Sequence, residues 1–390
     1  MKNIILKYGE EERFLAGHLW IFSNEIARIE GAPESGEIIT MTSSRGVFLG
    51  QGFYNPHSLI AFRLLSRDEK PIDADFWESK LSRALDWRRK VYPEARSFRA
   101  VFGESDGLPG LIVDKYEEFL AVQFLSAGLE KHQAEIVAAL NRVFSPKGII
   151  ARNDSALRHL EGLEEVVQVL SGEVPERVRI EENGIAYQAD LAGGQKTGFF
   201  FDQKDNRRIF GTYCKGKRVL DAFCHTGGFG ITAGRAGAAD VTWLDASSKA
   251  LALAEENAAL NDLAPMFKGI CVDAMDFFPD VQASKGAFDI INIDPPALIK
   301  SKKHIMAGYR AYRNLNAHAL AMLGTGGILA TSSCSYHLGS EDFRTMLREA
   351  AGKARRQVRL IELRLQAKDH PVLLSMPETE YLKFAMLEVI

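Results

Sequence analysis

The sequence predicts an α/β protein whose carboxyl-terminal part is a doubly wound, Rossmann-like sheet. Three observations predict it. Residues 218–230 read Arg-Val-Leu-Asp-Ala-Phe-Cys-His-Thr-Gly-Gly-Phe-Gly: an apolar run reaching Asp221, a turn at Gly227-Gly228, then an alanine-rich helical segment over 229–239. Apolar runs ending in an acid recur at 241–245 (Asp245), 268–273 (Asp273) and 288–294 (Asp294), and a fifth run at 327–335 carries Cys334 near its end. Helix-like segments follow several of these runs, at 247–261, 307–323 and 340–352.

Strand, tight turn, helix is the opening of a Rossmann-like unit. Its glycines let the backbone approach a ligand, and its helix N-terminus favours polar or anionic groups. No G-x-G-x-x-G is present, so the full dinucleotide fingerprint is missing. Ligands of open α/β sheets bind beyond the carboxyl ends of the strands. Four successive strands ending in Asp, the fourth followed by Pro295-Pro296, therefore read as one site. Asp245, roughly 20 residues past the glycines, is placed to accept both ribose hydroxyls of an adenosine ligand. The alternative is that these acids cap helices, a position Asp favours.

The chain of 390 residues is long enough for two or three domains. Residues 1–67 hold short strand-like runs at 4–6, 37–41, 47–52 and 59–65, the pattern of a small barrel or sandwich. Trp20, Phe22, Phe53 and Tyr54 either stack on bases or fill the core of that domain. A charged linker ending at Pro71 leads to a helix over 73–91, which Asp75 can cap and which Arg88-Arg89-Lys90 close in keeping with the helix dipole. Residues 98–191 read as α+β. Strands are expected at 100–102, 110–113, 120–124, 149–152, 166–169, 177–181 and 185–191, with a helix over 127–143 and an Asn183-Gly184 hairpin turn. Residues 192–207 are glycine-rich and polar, and form a loop leading to the site. In the last domain, further helices are expected at 207–212 and 229–237, with Ser247 capping the helix that begins there, and two more strands at 357–365 and 380–389.

Composition excludes several classes. Lys plus Arg is 48 against 51 Asp plus Glu, a net charge of −3, less basic than a non-specific nucleic-acid binder. Basic residues cluster at 88–99 and 353–356, which read as solvated faces. Lys300, Lys302 and Lys303 differ, because they follow Asp294-Pro295-Pro296 and so lie at the rim of the site, where they could hold RNA phosphates. Four cysteines without a C-x-x-C pair argue against a zinc site or a disulfide framework, so no metal is expected. The amino terminus reaches charge too soon for a signal peptide, and no apolar run is long enough to span a bilayer, so a cytoplasmic protein without membrane contact is expected.

Cys334 sits in Thr-Ser-Ser-Cys-Ser-Tyr-His, where the fifth strand should end. A lone cysteine is by default a buried structural residue. At a ligand edge, between small hydroxyl residues that leave room for a substrate, it reads instead as a nucleophile, whose reactive form is the thiolate. Cys224, in the first turn, reads as a wall of the cofactor pocket.

Over essentially its whole length the chain resembles the PUA-domain ribosomal RNA cytosine-5 methyltransferases, class I enzymes that use S-adenosylmethionine. The resemblance rests on Gly17-His-Leu-Trp-Ile-Phe22, Gly52-Phe-Tyr-Asn-Pro56, Asp106-Gly-Leu-Pro-Gly110, Gln195-Lys-Thr-Gly-Phe199, Asp202-Gln203, the 221–229 turn, Asp294-Pro-Pro296, Ser333-Cys-Ser335 and His370-Pro-Val372. It implies a small β-rich RNA-binding PUA domain at 1–70, a central α+β domain at 71–191 and a Rossmann-like methyltransferase domain at 192–390. It further implies that Asp245 holds the cofactor ribose and Asp273 the adenine amino group. Asp221, Phe223, Cys224, Thr226, Gly227 and Gly228 would line the methionine end, with Gln203 and Arg207 nearby. Asp294 would face the target base and also border the cofactor, and Cys334 would attack that base. The implied partner is large-subunit (23S) ribosomal RNA, and exposed strands in these domains allow a homodimer.

The sequence departs from the family in three places. No second cysteine follows Pro296, so the base that removes the C5 proton is unassigned; Leu298 stands where an aromatic residue is common; and Glu104-Ser105 replaces an acidic-glycine pairing. Two other readings stay open: methylation of a guanine nitrogen, and a ribosome-assembly factor that binds RNA without catalysis. Ala297, where a stacking aromatic would be wanted, weighs against the first, and the intact acids with Cys334 against the second.

Overall fold

The computed structural model describes residues 2–194, 197–280 and 286–390. They divide into two units: Met1–Ile180 with Ala189–Phe201 and Lys368–Thr379, and Glu181–Gln188 with Asp202–Ala367 and Glu380–Ile390.

The first unit opens with β1 (Asn3–Leu6), α1 (Glu11–Leu15), β2 (Trp20–Phe22), β3 (Ile26–Glu30), β4 (Ile38–Thr42), β5 (Phe48–Tyr54) and β6 (Ile60–Ser66), in a sheet of order β2-β6-β5-β4-β1-β3. Ile4, Leu6, Phe14, Ile21, Met41 and Phe62 are fully buried in its core. The sequence reading missed α1, β2 and β3, which are five residues or shorter; β3 has four exposed residues and no alternation to detect. The stacking alternative fails for Phe53 and Tyr54, which are buried. Trp20 is committed too: its Nε1 donates to Glu104 at 2.9 Å, and the Arg63 guanidinium lies over its ring.

α2 (Ala74–Val91) follows. Its cap is Asp73 and not Asp75: the Asp73 carboxylate accepts from Phe76 N at 3.1 Å, whereas Asp75 already lies inside the first turn. The second sheet holds β7 (Phe98–Phe102), β8 (Leu111–Tyr116), β9 (Phe119–Phe124), β10 (Gly148–Asn153) and β11 (Val166–Gly172), in the order β11-β10-β9-β8-β7. Between β9 and β10, the single helix expected over 127–143 is two, α3 (Ala127–Lys131) and α4 (Gln133–Phe144), parted at His132, whose φ of −102° and ψ of 16° leave the helical region. The basic cluster at 88–99 is not simply a solvated face. Arg88 is fully buried and donates to the Asp106 carboxylate at 2.5 Å, and Arg99 grips Asp114 at 2.6 and 2.9 Å.

The hairpin of β12 (Arg177–Glu182) and β13 (Ile185–Asp190) carries the chain from one unit to the other. Asn183 and Gly184 both have positive φ, 53° and 76°, the geometry an Asn-Gly turn favours.

The second unit contains α5 (Lys204–Gly211), β14 (Arg218–Ala222), α6 (Gly228–Arg235), β15 (Asp240–Asp245), α7 (Ser248–Ala259), β16 (Gly269–Cys271), α8 (Ala274–Asp280), β17 (Ile290–Ile293), α9 (Ile305–Met322), β18 (Ile328–Ser333), α10 (Ser340–Lys353), β19 (Val358–Arg364) and β20 (Lys383–Val389). Its sheet runs β16-β15-β14-β17-β18-β20-β19, parallel except for β20, which is antiparallel to β18 and β19. β14 is the switch point: later strands add on one side as β15 and β16, and on the other as β17 and β18, so a crevice opens beyond the carboxyl end of β14. Among the described residues, no helix is long and apolar enough to cross a membrane.

Candidate functional site

The turn after β14 is held in an uncommon conformation. Phe223 and His225 have φ of 59° and 49°, and Gly227 has 87°. Two non-glycine residues in the left-handed region within three positions require support from their surroundings, and such residues gather at ligand sites. Asp221 supplies part of that support. Its carboxylate, 1% exposed, accepts from Gly230 N at 2.7 Å and from Asn292 Nδ2 at 2.9 Å. Burial pushes its pKa up to about 7 against the pull of those two hydrogen bonds. Gly230 is required where it stands, because a Cβ there would meet the Trp243 indole nitrogen at 2.1 Å. Cys224 is buried, and burial holds its thiol well above the ordinary range, which suits a pocket wall and not a nucleophile. Thr226 is buried, and its carbonyl takes Asn257 Nδ2 at 3.1 Å. Gly228 opens α6 beside the Arg207 side chain.

On the β15 and β16 side the acids hold backbone amides, and the cap reading holds for Asp273, directly before α8, but not for Asp245, because Ser247 caps α7. The Asp245 carboxylate accepts from His225 N and Ser247 N, each at 2.9 Å, and Asp273 accepts from Met275 N at 2.8 Å. A carboxylate offers about four acceptor positions. These contacts use two at Asp245 and one at Asp273, which leaves lone pairs for a ligand's hydroxyl or amino hydrogens. Asp245 is half-buried and Asp273 exposed, so both can be reached.

On the β17 and β18 side, side chains make most of the contacts. Gln203 Nε2 donates to Asp294 at 3.0 Å and to Ser332 Oγ at 2.9 Å, while its oxygen accepts from Asn206 at 2.7 Å. Part of Asp294 still meets solvent, but protein surrounds its carboxyl, and this burial, reinforced by Asp202, pushes its pKa up to about 6. Cys334, half-buried just past β18, meets the Pro295 carbonyl at 3.8 Å. Ser335 fastens the two segments together: its Oγ lies 2.9 Å from Tyr312 OH and accepts from Ile299 N at 3.1 Å.

The structure thus places Asp294 and Cys334 at neighbouring strand ends, with Gln203, just before α5, hydrogen-bonded to Asp294 and to Ser332 of β18. It gives Arg207 a different setting, a two-pronged buried pair with Glu182 at 2.7 and 2.9 Å. Lys300, Lys302 and Lys303 are exposed on the segment leading into α9, with no ion-pair partner among the described residues. Gln195 and Lys196 lie outside the described residues. The sequence reading passed over Tyr312 and Lys383. The second carried a signal, a lysine opening the apolar run Lys383-Phe-Ala-Met-Leu387, and it is 2% exposed. Among the described residues, no group of three or more His, Cys, Asp or Glu is placed to hold a metal ion.

A family model for S-adenosylmethionine-dependent methyltransferases matches residues 117–370, and one for a PUA-like domain matches residues 4–67. The ribosomal RNA large subunit methyltransferase I of Pseudoalteromonas atlantica is 38% identical to this chain, with 100% of this chain and 99% of that protein covered. Its namesake from Photobacterium profundum is 39% identical, with 98% of each covered. Among solved structures, a Streptococcus mutans protein assigned to the SAM-dependent methyltransferases has a TM-score of 0.86 and 22% identity, covering 100% of both chains. A methyltransferase complexed with SAH has a TM-score of 0.87, also at 22% identity and full coverage of both chains. At that identity the two structures establish a shared fold.

Proposed function

This chain belongs to the S-adenosylmethionine-dependent methyltransferase family, with a PUA-like domain at its amino terminus, and we propose that it forms 5-methylcytidine in large-subunit (23S) ribosomal RNA. The substrate class follows from the relatives named as ribosomal RNA large subunit methyltransferase I. The observation that carries the chemistry is Cys334 at the carboxyl end of β18, its sulfur against the carbonyl of Pro295, the residue after Asp294.

The residues fit the cofactor. Asp245 and Asp273 keep acceptor positions beyond these contacts, which would serve ribose hydroxyls and an adenine amino group respectively. The braced 223–228 turn, with Asp221 beneath it, would take the methionine end, with Gln203 beside it; Arg207 would act there through the packing of Gly228. S-adenosylmethionine, when bound, supplies the electrophilic methyl group.

Cytosine C5 is too weak a nucleophile to take a methyl group unaided. The Cys334 thiolate adds to C6, forming an S–C6 bond, and the displaced electron pair makes C5 enamine-like. After C5 is methylated, a base removes the C5 proton, the C5–C6 double bond re-forms and the thiolate leaves. Asp294, with a pKa raised to about 6, can carry or share a proton with N3 near neutral pH and so stabilise the adduct. Lys300, Lys302 and Lys303 would hold RNA phosphates at the rim, with residues 1–70 as the RNA-binding domain, 71–191 as the central domain and 192–390 as the catalytic domain.

Nucleoside mass spectrometry of unmodified large-subunit ribosomal RNA, incubated with the protein and labelled S-adenosylmethionine, tests the reading. Label in 5-methylcytidine, lost with Cys334→Ala, is the expected result. Label in a methylated guanosine would sink the cytosine assignment and return Cys334 to a structural role.

A further inference from the structure

Lys383 is a buried charge of the second unit that the proposed reaction does not use. It is 2% exposed, and among the described residues no carboxylate lies within ion-pair distance of its ammonium. Burying a charge without a partner is strongly unfavourable, so such a group calls for a reason. Its three N–H donors are partly used: Nζ donates to the Ser335 and Tyr381 carbonyls, each at 2.8 Å. No side chain or carbonyl among the described residues takes the third.

The sheet places this lysine beside the candidate nucleophile. Lys383 pairs with Ser333 in the antiparallel register of β18 and β20, one residue from Cys334, and its Ser335 anchor is one residue to the other side. The ammonium is thus fastened across the segment that carries the sulfur. Burial pulls its pKa down to about 8, and Cys334 is the foremost of the groups that pull it back up, ahead of Glu380. Lys383 is therefore still mostly protonated at pH 7.

We propose that Lys383 is a positioning residue whose buried ammonium is the standing counter-charge of the Cys334 thiolate. This rests on the reading of Cys334 as the nucleophile. When the thiol gives up its proton to solvent, the ammonium stays protonated, and the pair replaces a lone buried cation with a neutral couple. Asp294, Glu380, Tyr312 and His337, on the segments around Cys334, act differently. The Asp294 and Glu380 carboxylates disfavour a thiolate, and the Tyr312 hydroxyl, pushed up by burial and by Cys334, stays neutral and is engaged with Ser335. His337, on the turn that follows, packs its ring against Tyr336.

The test is the pH profile of iodoacetamide alkylation at Cys334, followed by mass spectrometry of its peptide so that the other three cysteines do not interfere. In the wild-type protein the inflection should fall at least one unit below the ~8.5 of an ordinary thiol. Lys383→Met should move it up by at least one unit, a tenfold or greater loss of alkylation rate at pH 7, while Lys383→Arg restores most of that rate. S-adenosylmethionine binding serves as the check of folding. An unchanged inflection in a folded Lys383→Met protein would overturn the proposal. If that variant does not fold, the wild-type profile decides alone, and an inflection at or above 8.5 would overturn it. The profile reports the sulfur's ionisation whether or not it attacks RNA. Retained methylation by Cys334→Ala would therefore refute the nucleophile without touching this result.

Discussion

The two sides of the carboxyl-terminal sheet, parted at β14, use their polar residues in opposite ways. On the β15 and β16 side, Asp245 accepts from a backbone amide of its own turn and from one in the turn after β14, and Asp273 from one of its own turn, contacts that fix loop shape while leaving acceptor positions open. On the β17 and β18 side, Asp294, Gln203, Ser332, Tyr312, Ser335 and Lys383 hold the strand ends largely through side-chain contacts, in surroundings that shift the pKa values of Asp294 and Lys383 toward neutrality. The difference suggests a division of labour between a side that holds a ligand and a side that changes protonation state.

The sharpest way to break this division is Asp294→Asn. The substitution keeps an acceptor for Gln203 but removes the titrating group. It should lower methyl transfer about 10²- to 10⁴-fold with cofactor affinity little changed. Single-turnover rates beside calorimetric binding would reveal near-normal turnover, which the account does not allow. Arg207→Met comes next and should act on stability. It leaves Glu182 buried without its partner, so urea unfolding should record a loss of about 3–5 kcal/mol. A folded, fully stable variant that has lost only cofactor binding would make Arg207 a direct ligand.

Asp221, at the end of β14, gives the fold a pH dependence of its own. Its pKa of about 7 lies above its ordinary 3.8, so the folded state keeps a proton that the unfolded state has released between those values. Its contribution to stability is therefore fully present below about pH 4 and is lost as pH rises through 7, at up to about 1.4 kcal/mol per pH unit. Asp221→Asn should remove that slope from a series of denaturant melts at pH 4 to 8, and an unaltered slope would mean that another group carries it. The smallest effect belongs to Asp245→Ala. Losing a charged acceptor for the ribose should weaken S-adenosylmethionine about 10- to 100-fold, with turnover at saturation little changed. A collapse of turnover at saturating cofactor would place Asp245 on the chemical side of the sheet.

Much of this architecture was legible in the sequence because it is local. Each strand-end acid closes an apolar run, Ser247 stands where α7 needs a cap, and Asn183-Gly184 specifies its own turn. Features that rest on distant partners were not legible. Arg88 reads as a surface charge until Asp106 and the Arg99 carbonyl surround it. Glu182 and Arg207 meet across 25 positions, and Lys383 reaches the Ser335 carbonyl across 48. α8 escaped notice for another reason, being seven residues long with Pro279 inside it. The candidate site was therefore readable as a set of strand ends, whereas the surroundings that set its protonation states were not.

Attack by Cys334 on the base is tested by covalent capture on ribosomal RNA. Large-subunit RNA carrying 5-fluorocytidine is incubated with the protein and S-adenosylmethionine, then denatured and digested. Fluorine at C5 cannot leave as a proton does, so the adduct should persist, and its nucleotide should map to the peptide containing Cys334. An adduct on another residue, or no adduct from a protein that methylates ordinary RNA, would contradict the account.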